Sequence, residues 1–194
     1  MRPDEKRLIE RCVRGDNEAF NELIRRFEKQ VYNLAYRLTG NHDDAEDVAS
    51  EAFVRAYNAI RRFRGASALS TWLYRIVTNV YLDERKRRAA RPQSSLEEYL
   101  DVPDGQVKRQ IEDSSPGPEE IAEQAERHSI LQTAIDSLPD FQKTMIVLYH
   151  VQELPYEEIA QILNMPVGTV KSRLNRARRA LRDKLLAQRE LFSA

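Results

Sequence analysis

Cysteine and histidine are scarce in this chain of 194 residues, and their scarcity narrows what the protein can be. The single Cys12 cannot form an internal disulfide, and its apolar-periodic surroundings predict a buried structural thiol. The three histidines, His42, His128 and His150, are scattered without the paired spacing of metal ligands. No nucleophile–base pair and no phosphate-binding loop stands out. We therefore expect a protein that is not an enzyme and needs no metal and no cofactor.

Apolar runs of membrane-spanning length are also missing. The first residues, MRPDEKRLIERC, lack the apolar stretch of a signal peptide. Hydrophobic residues nevertheless make up 41% of the chain, enough to supply a core for one ordinary domain or two small ones. We expect a cytoplasmic protein that does not insert into a membrane.

Proline is absent between Pro3 and Pro92 and recurs at short intervals afterwards. Because proline interrupts helix interiors, this distribution predicts long helices first and short ones later. Period-2 alternation is nowhere convincing, so we predict an all-α fold. The N-terminal part should contain four helices: about Asp4–Arg14, about Asn17–Leu38, one that starts after Asp43 and continues through Ile60, and one from Trp72 into an arginine cluster, the last capped by Ser70 or Thr71.

The stretch PQSSLEEYLDVPDGQVKRQIEDSSPGP is polar, acidic and interrupted by proline and glycine, which is typical of a flexible linker. It divides the chain into an N-terminal helical domain at residues 1–92, a linker at 93–118 and a C-terminal domain at 119–194. Within the linker, Leu96, Tyr99 and Leu100 could still dock locally. The C-terminal domain should contain helices of about Glu119–Ser137, Asp140–Gln152, Tyr156–Leu163 and Val167–Ala187.

The formal net charge is zero, yet the charges are segregated along the chain. Residues 94–126 contain ten acids and two bases, whereas residues 167–194 contain eight bases and two acids. The segment RKRRAAR at Arg85–Arg91 adds five bases and no acid. Two basic segments that flank an acidic middle indicate a polyanionic partner.

The last two predicted helices, joined by the tight turn NMP, have the pattern of a helix-turn-helix. In the second helix an apolar side repeats at spacings of three and four residues, formed by Val167, Val170, Leu174, Ala177 and Leu181. The other side is polar and basic. A DNA major groove admits one helix, and an arginine there can bind guanine bidentately. The plain alternative is a solvated basic face on a structural helix.

The segment LPYEEIAQILNMPVGTVKSRLNRARRAL resembles the C-terminal promoter-reading domain of bacterial extracytoplasmic-function sigma factors. The segments DDAEDVASEAFVRAYNAI and FRGASALSTWLYRIVTN resemble the N-terminal domain of the same family, in the same order. The resemblance implies a factor that binds core RNA polymerase and directs promoter-specific initiation. The second helix would contact the duplex −35 element through Thr169, Lys171, Ser172, Arg173, Asn175, Arg176 and Arg179.

The chain departs from the common pattern of the family at two positions. Glu153 and Pro155 stand where glycine and serine are frequent, which affects the helix cap and should leave the fold intact. Tyr149 and Asn175 stand where relatives vary. The resemblance therefore does not specify which DNA sequence is preferred.

In this family the N-terminal domain opens the −10 promoter element and holds a base that has flipped out of the duplex. Exposed bases stack on aromatic side chains, and cations meet the phosphates. By resemblance, Asn79 lines the base pocket together with residues 67–69. Trp72 also looks like a core residue, and packing is its leading interpretation. The −10 contacts are predicted to be Phe63, Ser67, Ala68, Leu69, Trp72, Arg75 and Asn79.

The acid-rich segment NHDDAEDVASE allows three interpretations. Its carboxylates could bind a divalent metal, as in a nuclease. They could also be a solvated helix start, because acids complement the N-terminal end of the helix dipole. The family resemblance implies the third, docking on the coiled coil of the largest polymerase subunit, through a face formed by Asp44, Asp47, Glu51 and Arg55.

The partners implied by the resemblance are core RNA polymerase, contacted at that coiled coil and at its flap, and promoter DNA in duplex and single-stranded form. An anti-sigma factor is a further partner that the family allows. The main rival is a helix-turn-helix repressor or activator that acts without polymerase and binds duplex DNA tightly by itself. The second rival is the metal-dependent nuclease built on Asp43–Asp47.

Overall fold

The structure is a computed structural model that describes residues 3–90 and 118–192. Within these ranges every regular element is a helix, so the prediction of an all-α fold is confirmed. No helix in the described ranges is both long and apolar enough to cross a membrane. The helices are α1 Pro3–Val13, α2 Asn17–Thr39, α3 His42–Ala59, a 3-10 turn Ile60–Arg62, α4 Leu69–Ala90, α5 Pro118–Asp136, α6 Asp140–Ile146, a π-helical segment Val147–Val151, α7 Tyr156–Ile162 and α8 Val167–Phe192.

Helices α2, α3 and α4 form a bundle, with α1 packed on α2. The Asp16 side chain accepts a hydrogen bond from the backbone N–H of Ala19 at 3.0 Å, which caps the start of α2. Gly40 ends α2 in the left-handed conformation, with φ of 88°. Asn41 then caps α3 by accepting from the backbone N–H of Asp44. These short-range devices explain why the sequence placed these boundaries within one or two residues.

The predicted cap of α4 is wrong. The helix begins at Leu69, so Ser70 and Thr71 lie inside its first turn. The Thr71 hydroxyl donates instead to the Glu158 carboxylate of α7, at 2.8 Å. The single helix predicted over Asp140–Gln152 is also divided, because α6 ends at Ile146 and continues as the π-helical segment.

The C-terminal helices pack directly against the N-terminal bundle. Helix α4 contacts both α6 and α7, and the buried apolar residues of the two parts belong to one continuous core. The Tyr81 hydroxyl donates to Asp140 at 3.0 Å, and the Arg85 guanidinium binds the same carboxylate oxygen at 2.7 Å. Lys143, which is only 4% exposed, is paired with Asp136 beside this contact. The sequence did not predict this contact between the two helical parts.

The predicted linker lies mostly outside the described residues, and so do Leu96, Tyr99 and Leu100. The domain boundaries at residues 92 and 119 stay predictions.

Candidate nucleic-acid interface

Helices α7 and α8 form the predicted helix-turn-helix. After α7 ends, Asn164 adopts a left-handed conformation with φ of 50°, which reverses the chain within a few residues. The backbone N–H of Met165 donates to the carbonyl of Ala160 at 3.0 Å and closes the turn. The carbonyl of Pro166 accepts the first helical hydrogen bonds of α8. This turn sets the direction of α8, so we call α8 the recognition helix.

One side of the recognition helix is buried and the other is open. Val170, Leu174 and Ala177 are at most 1% exposed, and Ile159 and Ile162 of α7 are buried in the same core. This apolar stripe anchors the helix, as the spacing predicted. The side chains predicted to meet the −35 element lie outside the stripe: Thr169 is half-buried, and Lys171, Ser172, Arg173, Asn175, Arg176 and Arg179 are exposed.

Three of these side chains have partners within the protein. The Ser172 hydroxyl donates to the carbonyl of Thr169 at 3.0 Å. The Lys171 ammonium lies 5.6 Å from the centre of the Tyr156 ring. The Arg173 guanidinium lies over the Phe141 ring at 4.8 Å. Each cation thereby lies beside an aromatic ring, while the residue as a whole stays exposed.

Asn175, Arg176 and Arg179 are the freest of the predicted −35 residues. In the part of the chain that the structure describes, none of the three forms an ion pair or a side-chain hydrogen bond. Arginine carries five N–H donors in a planar fork that matches the acceptor edge of guanine. The donors of Arg176 and Arg179 are therefore available to a ligand without the loss of an internal contact.

Helix α4 presents a second polar surface. Arg75 and Asn79 are exposed and lie one helical turn apart on the same face. The face of α4 that packs on α6 and α7 is a different one, marked by Tyr74 and Tyr81. The contact between the two helical parts therefore leaves Arg75 and Asn79 open to solvent.

The other residues predicted to contact the −10 element divide into buried and accessible ones. Leu69 is fully buried, so only its backbone can contribute to a base pocket in this conformation. Trp72 is 7% exposed and packs on Phe63 with ring centres 5.2 Å apart, in keeping with its interpretation as a core residue. Ser67 is half-buried and Ala68 is exposed in the loop before α4.

The predicted base pocket is not closed in this arrangement. Asn79 lies ten residues after the start of α4 at Leu69, about 15 Å along the helix axis. The loop that precedes α4 must therefore fold back along the helix if it is to share a pocket with Asn79. The grouping of these residues stays a prediction.

The acidic face of α3 is partly occupied by internal ion pairs. The Asp44 carboxylate accepts from the Arg88 guanidinium at 2.9 Å, and this hydrogen bond lowers the pKa of Asp44. Arg55, which is predicted to be part of the docking face, is half-buried and binds both Glu51 and Asp83. These pairs fasten α3 to α4.

Asp47 and Val54 of α3 are open to solvent beside that network. Asp47 is exposed, and Val54 is 56% exposed, which is unusual for an apolar side chain in a bundle. Spacings of three and four residues place both of them beside Glu51. In the described ranges no group of three or more potential ligands is arranged to hold a metal ion.

Sequence reasoning missed the residues that connect separate helices. Glu158 and Asp140 look like ordinary helix-start acids in the sequence, but they bind Thr71, Tyr81 and Arg85 of α4. No local sequence pattern predicts such pairs.

A stacked pair of tyrosines beside the recognition helix was missed as well. Tyr149 and Tyr156 have ring centres 5.1 Å apart and planes inclined by 14°. The Arg178 guanidinium lies 4.7 Å from the centre of the Tyr149 ring. The spacing of seven residues between Lys171 and Arg178, which puts both on one flank of α8, was the one available signal.

Family profiles and individual relatives match this chain. The family described as Sigma-70 region 2 matches residues 23–91, and the one described as Sigma-70, region 4 matches residues 128–181. The chain is 39% identical over 181 residues to the ECF RNA polymerase sigma factor SigW of Bacillus subtilis, covering 93% of this chain and 96% of that protein. It is 38% identical over 178 residues to the ECF RNA polymerase sigma-E factor of Escherichia coli K12, covering 92% of each.

Two solved structures have the same fold. CnrH, in complex with the cytosolic domain of CnrY, gives a TM-score of 0.60 at 24% identity and covers 93% of this chain and 96% of its own. The sigma factor RpoE from Bartonella quintana, in complex with the anti-sigma factor NepR, gives a TM-score of 0.60 at 22% identity and covers 86% and 96%.

Proposed function

The chain belongs to the extracytoplasmic-function family of RNA polymerase sigma factors, and from that premise we propose how its surfaces direct transcription from specific promoters. The protein binds core RNA polymerase in the cytoplasm and gives it promoter specificity. It acts by binding and opening DNA, with no chemistry of its own. The observation that carries the proposal is the recognition helix, whose open side exposes Arg176 and Arg179 while Val170 and Leu174 anchor the other side.

The recognition helix reads the −35 element as duplex DNA. Its width suits the major groove, and exposed arginines next to the short polar Ser172 and Asn175 supply hydrogen bonds to base edges. Specificity comes from Arg176, because its donors are free and it lies away from the aromatic rings that contact Lys171 and Arg173.

Helix α4 and the loop before it capture the −10 element. Asn79 carries both a donor and an acceptor, which suits the edge of an unpaired base. Arg75, one turn earlier, meets a neighbouring phosphate. Phe63 contributes ring surface at the edge of the Trp72 pair, while Trp72 itself stabilises the start of α4.

The outer side of α3 docks on the coiled coil of the largest polymerase subunit. Asp47 and Glu51 provide charge, and the exposed Val54, three residues after Glu51, provides apolar contact area. Asp44 and Arg55 support this surface through their pairs with Arg88 and Asp83. The flap of the polymerase and an anti-sigma factor are further partners of the protein.

The test is transcription by purified core polymerase with and without the full chain. Because the preferred promoter is unknown, the template is a pool of fragments with randomised −35 and −10 segments, and the transcripts are sequenced. We expect initiation from a narrow set of templates only when the protein is present. Tight, specific duplex binding by the protein alone, with no effect on polymerase, would instead establish the repressor. Magnesium-dependent cleavage of the templates would establish the nuclease.

A further inference from the structure

A row of two cations and two aromatic rings runs along one flank of the recognition helix. In order it comprises Lys171, Tyr156, Tyr149 and Arg178, with His150 beside the last. The two tyrosine rings are nearly parallel, with their centres 5.1 Å apart. The Lys171 ammonium lies 5.6 Å from the centre of the Tyr156 ring, and the Arg178 guanidinium lies 4.7 Å from the centre of the Tyr149 ring. We call these five residues the cation–aromatic ladder.

Arg178 is held in the ladder by His150 and by both tyrosines, while the residue itself stays exposed. Its Nε–H donates to Nε2 of His150 at 3.0 Å, and its plane rests on the Tyr149 ring. The hydroxyls of Tyr149 and Tyr156 also interact with the guanidinium, but no carboxylate within the described residues forms an ion pair with it. An exposed guanidinium that is fixed in place and has no carboxylate partner can bind a phosphate group through its planar N–H donors.

The ladder lies where DNA phosphates pass a helix-turn-helix. Lys171 and Arg178 are seven residues apart, which puts them on one flank of α8 and about 10 Å apart along its axis. Tyr156 is the first residue of α7, and the first helix of this motif crosses the DNA backbone. Arg178 lies off the outer face that carries Ser172 and Arg179, so it faces the wall of the groove and not its floor.

We propose that Arg178 is a DNA phosphate contact, and that Tyr149 and Tyr156 are positioning residues that hold Arg178 and Lys171 against one DNA strand. The proposal rests on the proposed function only in that α8 enters duplex DNA. A line of fixed cations sets the register of the recognition helix before any base is read.

The test is the salt dependence of duplex binding by the full chain. The probe is a fluorescein-labelled 20-bp duplex of mixed sequence, because phosphate contacts need no particular bases, and binding is followed by anisotropy over a KCl series. Arg178→Ala should reduce the slope of log K against log[KCl] by about 0.9, the value for one phosphate contact. Arg182→Ala is the matched control. Arg182 lies one turn further along the same flank, but it is paired with Asp183 and contacts no aromatic ring among the described residues. The Arg182→Ala variant should therefore keep the wild-type slope.

The positioning role is tested by changing the ring while keeping the cation. Tyr149→Leu should weaken binding about two- to fivefold at fixed salt, the worth of one cation–ring contact, and Tyr149→Phe should restore it. Helical circular dichroism checks that each variant is folded. A wild-type slope for Arg178→Ala, or an equal drop for Arg182→Ala, overturns the phosphate contact. Equal affinities of the Leu and Phe variants overturn the positioning role.

These outcomes are separable from the proposed function. If the wild-type protein fails to direct polymerase to promoters but the Arg178 slope changes as expected, the sigma-factor assignment fails and the phosphate contact stands. If transcription is specific and the slope is unchanged, only the phosphate contact fails.

Discussion

The contact between α4 and α6 makes a quantitative prediction about how the two helical parts of the protein are coupled. Tyr81 is 3% exposed, and its hydroxyl donates to Asp140 at 3.0 Å. Burial and the neighbouring carboxylate raise the pKa of Tyr81, so the phenol is protonated and acts as the donor at neutral pH. The pair spans 59 residues of sequence, and only docking of the two parts brings it together. Its energy therefore measures that docking.

The expected coupling between Tyr81 and Asp140 is about 1–2 kcal/mol. A hydrogen bond to a charged group contributes about 1.5–3 kcal/mol when it is buried, and the partial exposure of Asp140 reduces this value. Asp140→Ala also removes the Arg85 ion pair, worth about 0.2–1 kcal/mol at these exposures, and a favourable helix-dipole charge of about 0.3–1 kcal/mol. Both of these extra losses cancel in a double-mutant cycle with Tyr81→Phe, because they occur whether or not the hydroxyl is present.

The assay is urea unfolding of the wild type, the two single variants and the double variant. Trp72, the one tryptophan of the chain, reports on the N-terminal bundle, and circular dichroism reports on all helices. The two transitions should coincide in the wild type, since the parts share a core. A cycle on Arg182 and Asp183, whose side chains are 67% and 64% exposed, is the control and should give about zero. A Tyr81–Asp140 coupling below about 0.3 kcal/mol would refute docking in solution.

Three further predictions concern the proposed surfaces. Arg176→Ala should cost about 1–3 kcal/mol of discrimination at one −35 base pair in the selected promoter, whereas Lys171→Ala should weaken all duplexes alike; uniform effects of both would remove base reading from Arg176. Asn79→Ala should lower run-off transcription on duplex promoters, and a pre-melted −10 segment should restore it only in part; wild-type activity on both templates would make Asn79 a structural residue. Charge reversal at Asp47 should weaken co-purification with core polymerase, whereas reversal at Asp44 should also destabilise the fold because it breaks the pair with Arg88. The ratio of binding lost to stability lost should therefore be larger for Asp47, and equal ratios would contradict docking through Asp47.

Helix boundaries and buried faces were predictable because local chemistry determines them. Asp16 caps α2, and Gly40 ends it with a positive φ that glycine adopts without strain. The apolar spacing of Val170, Leu174 and Ala177 identified the buried side of α8. The π-helical segment after Ile146 was missed, because apolar residues in a short buried run have the same pattern in α and π geometry.

Site residues were predictable only where the helix face alone decides exposure. Arg75, Asn79 and Arg176 are exposed, as helical spacing requires. Asp44 was expected to be an open docking acid, but Arg88, 44 residues away, occupies it. Leu69 was placed in the base pocket through a motif, although its side chain fills the core. Contacts between residues so far apart in the sequence depend on how the helices pack, and the periodicity within one helix does not predict that packing.

The hydrogen bond from Arg178 makes His150 a reporter of the cation–aromatic ladder. Because Nε2 of His150 accepts, the ring must be neutral. Burial, and then the charge of Arg178, lower its pKa below 6.5. Among the described residues, the titratable groups that contact the ring are Tyr149 and Arg178. As pH falls from 6.5 to the lowered value, the unfolded chain binds the proton first, so stability declines within that window and no further below it. Arg178→Ala removes one cause of the shift, so an NMR titration of the His150 ring should show its pKa rising towards 6.5, while Arg182→Ala leaves it in place. A wild-type His150 pKa at or above 6.5, or an unchanged value in Arg178→Ala, would mean that the guanidinium does not rest in the ladder.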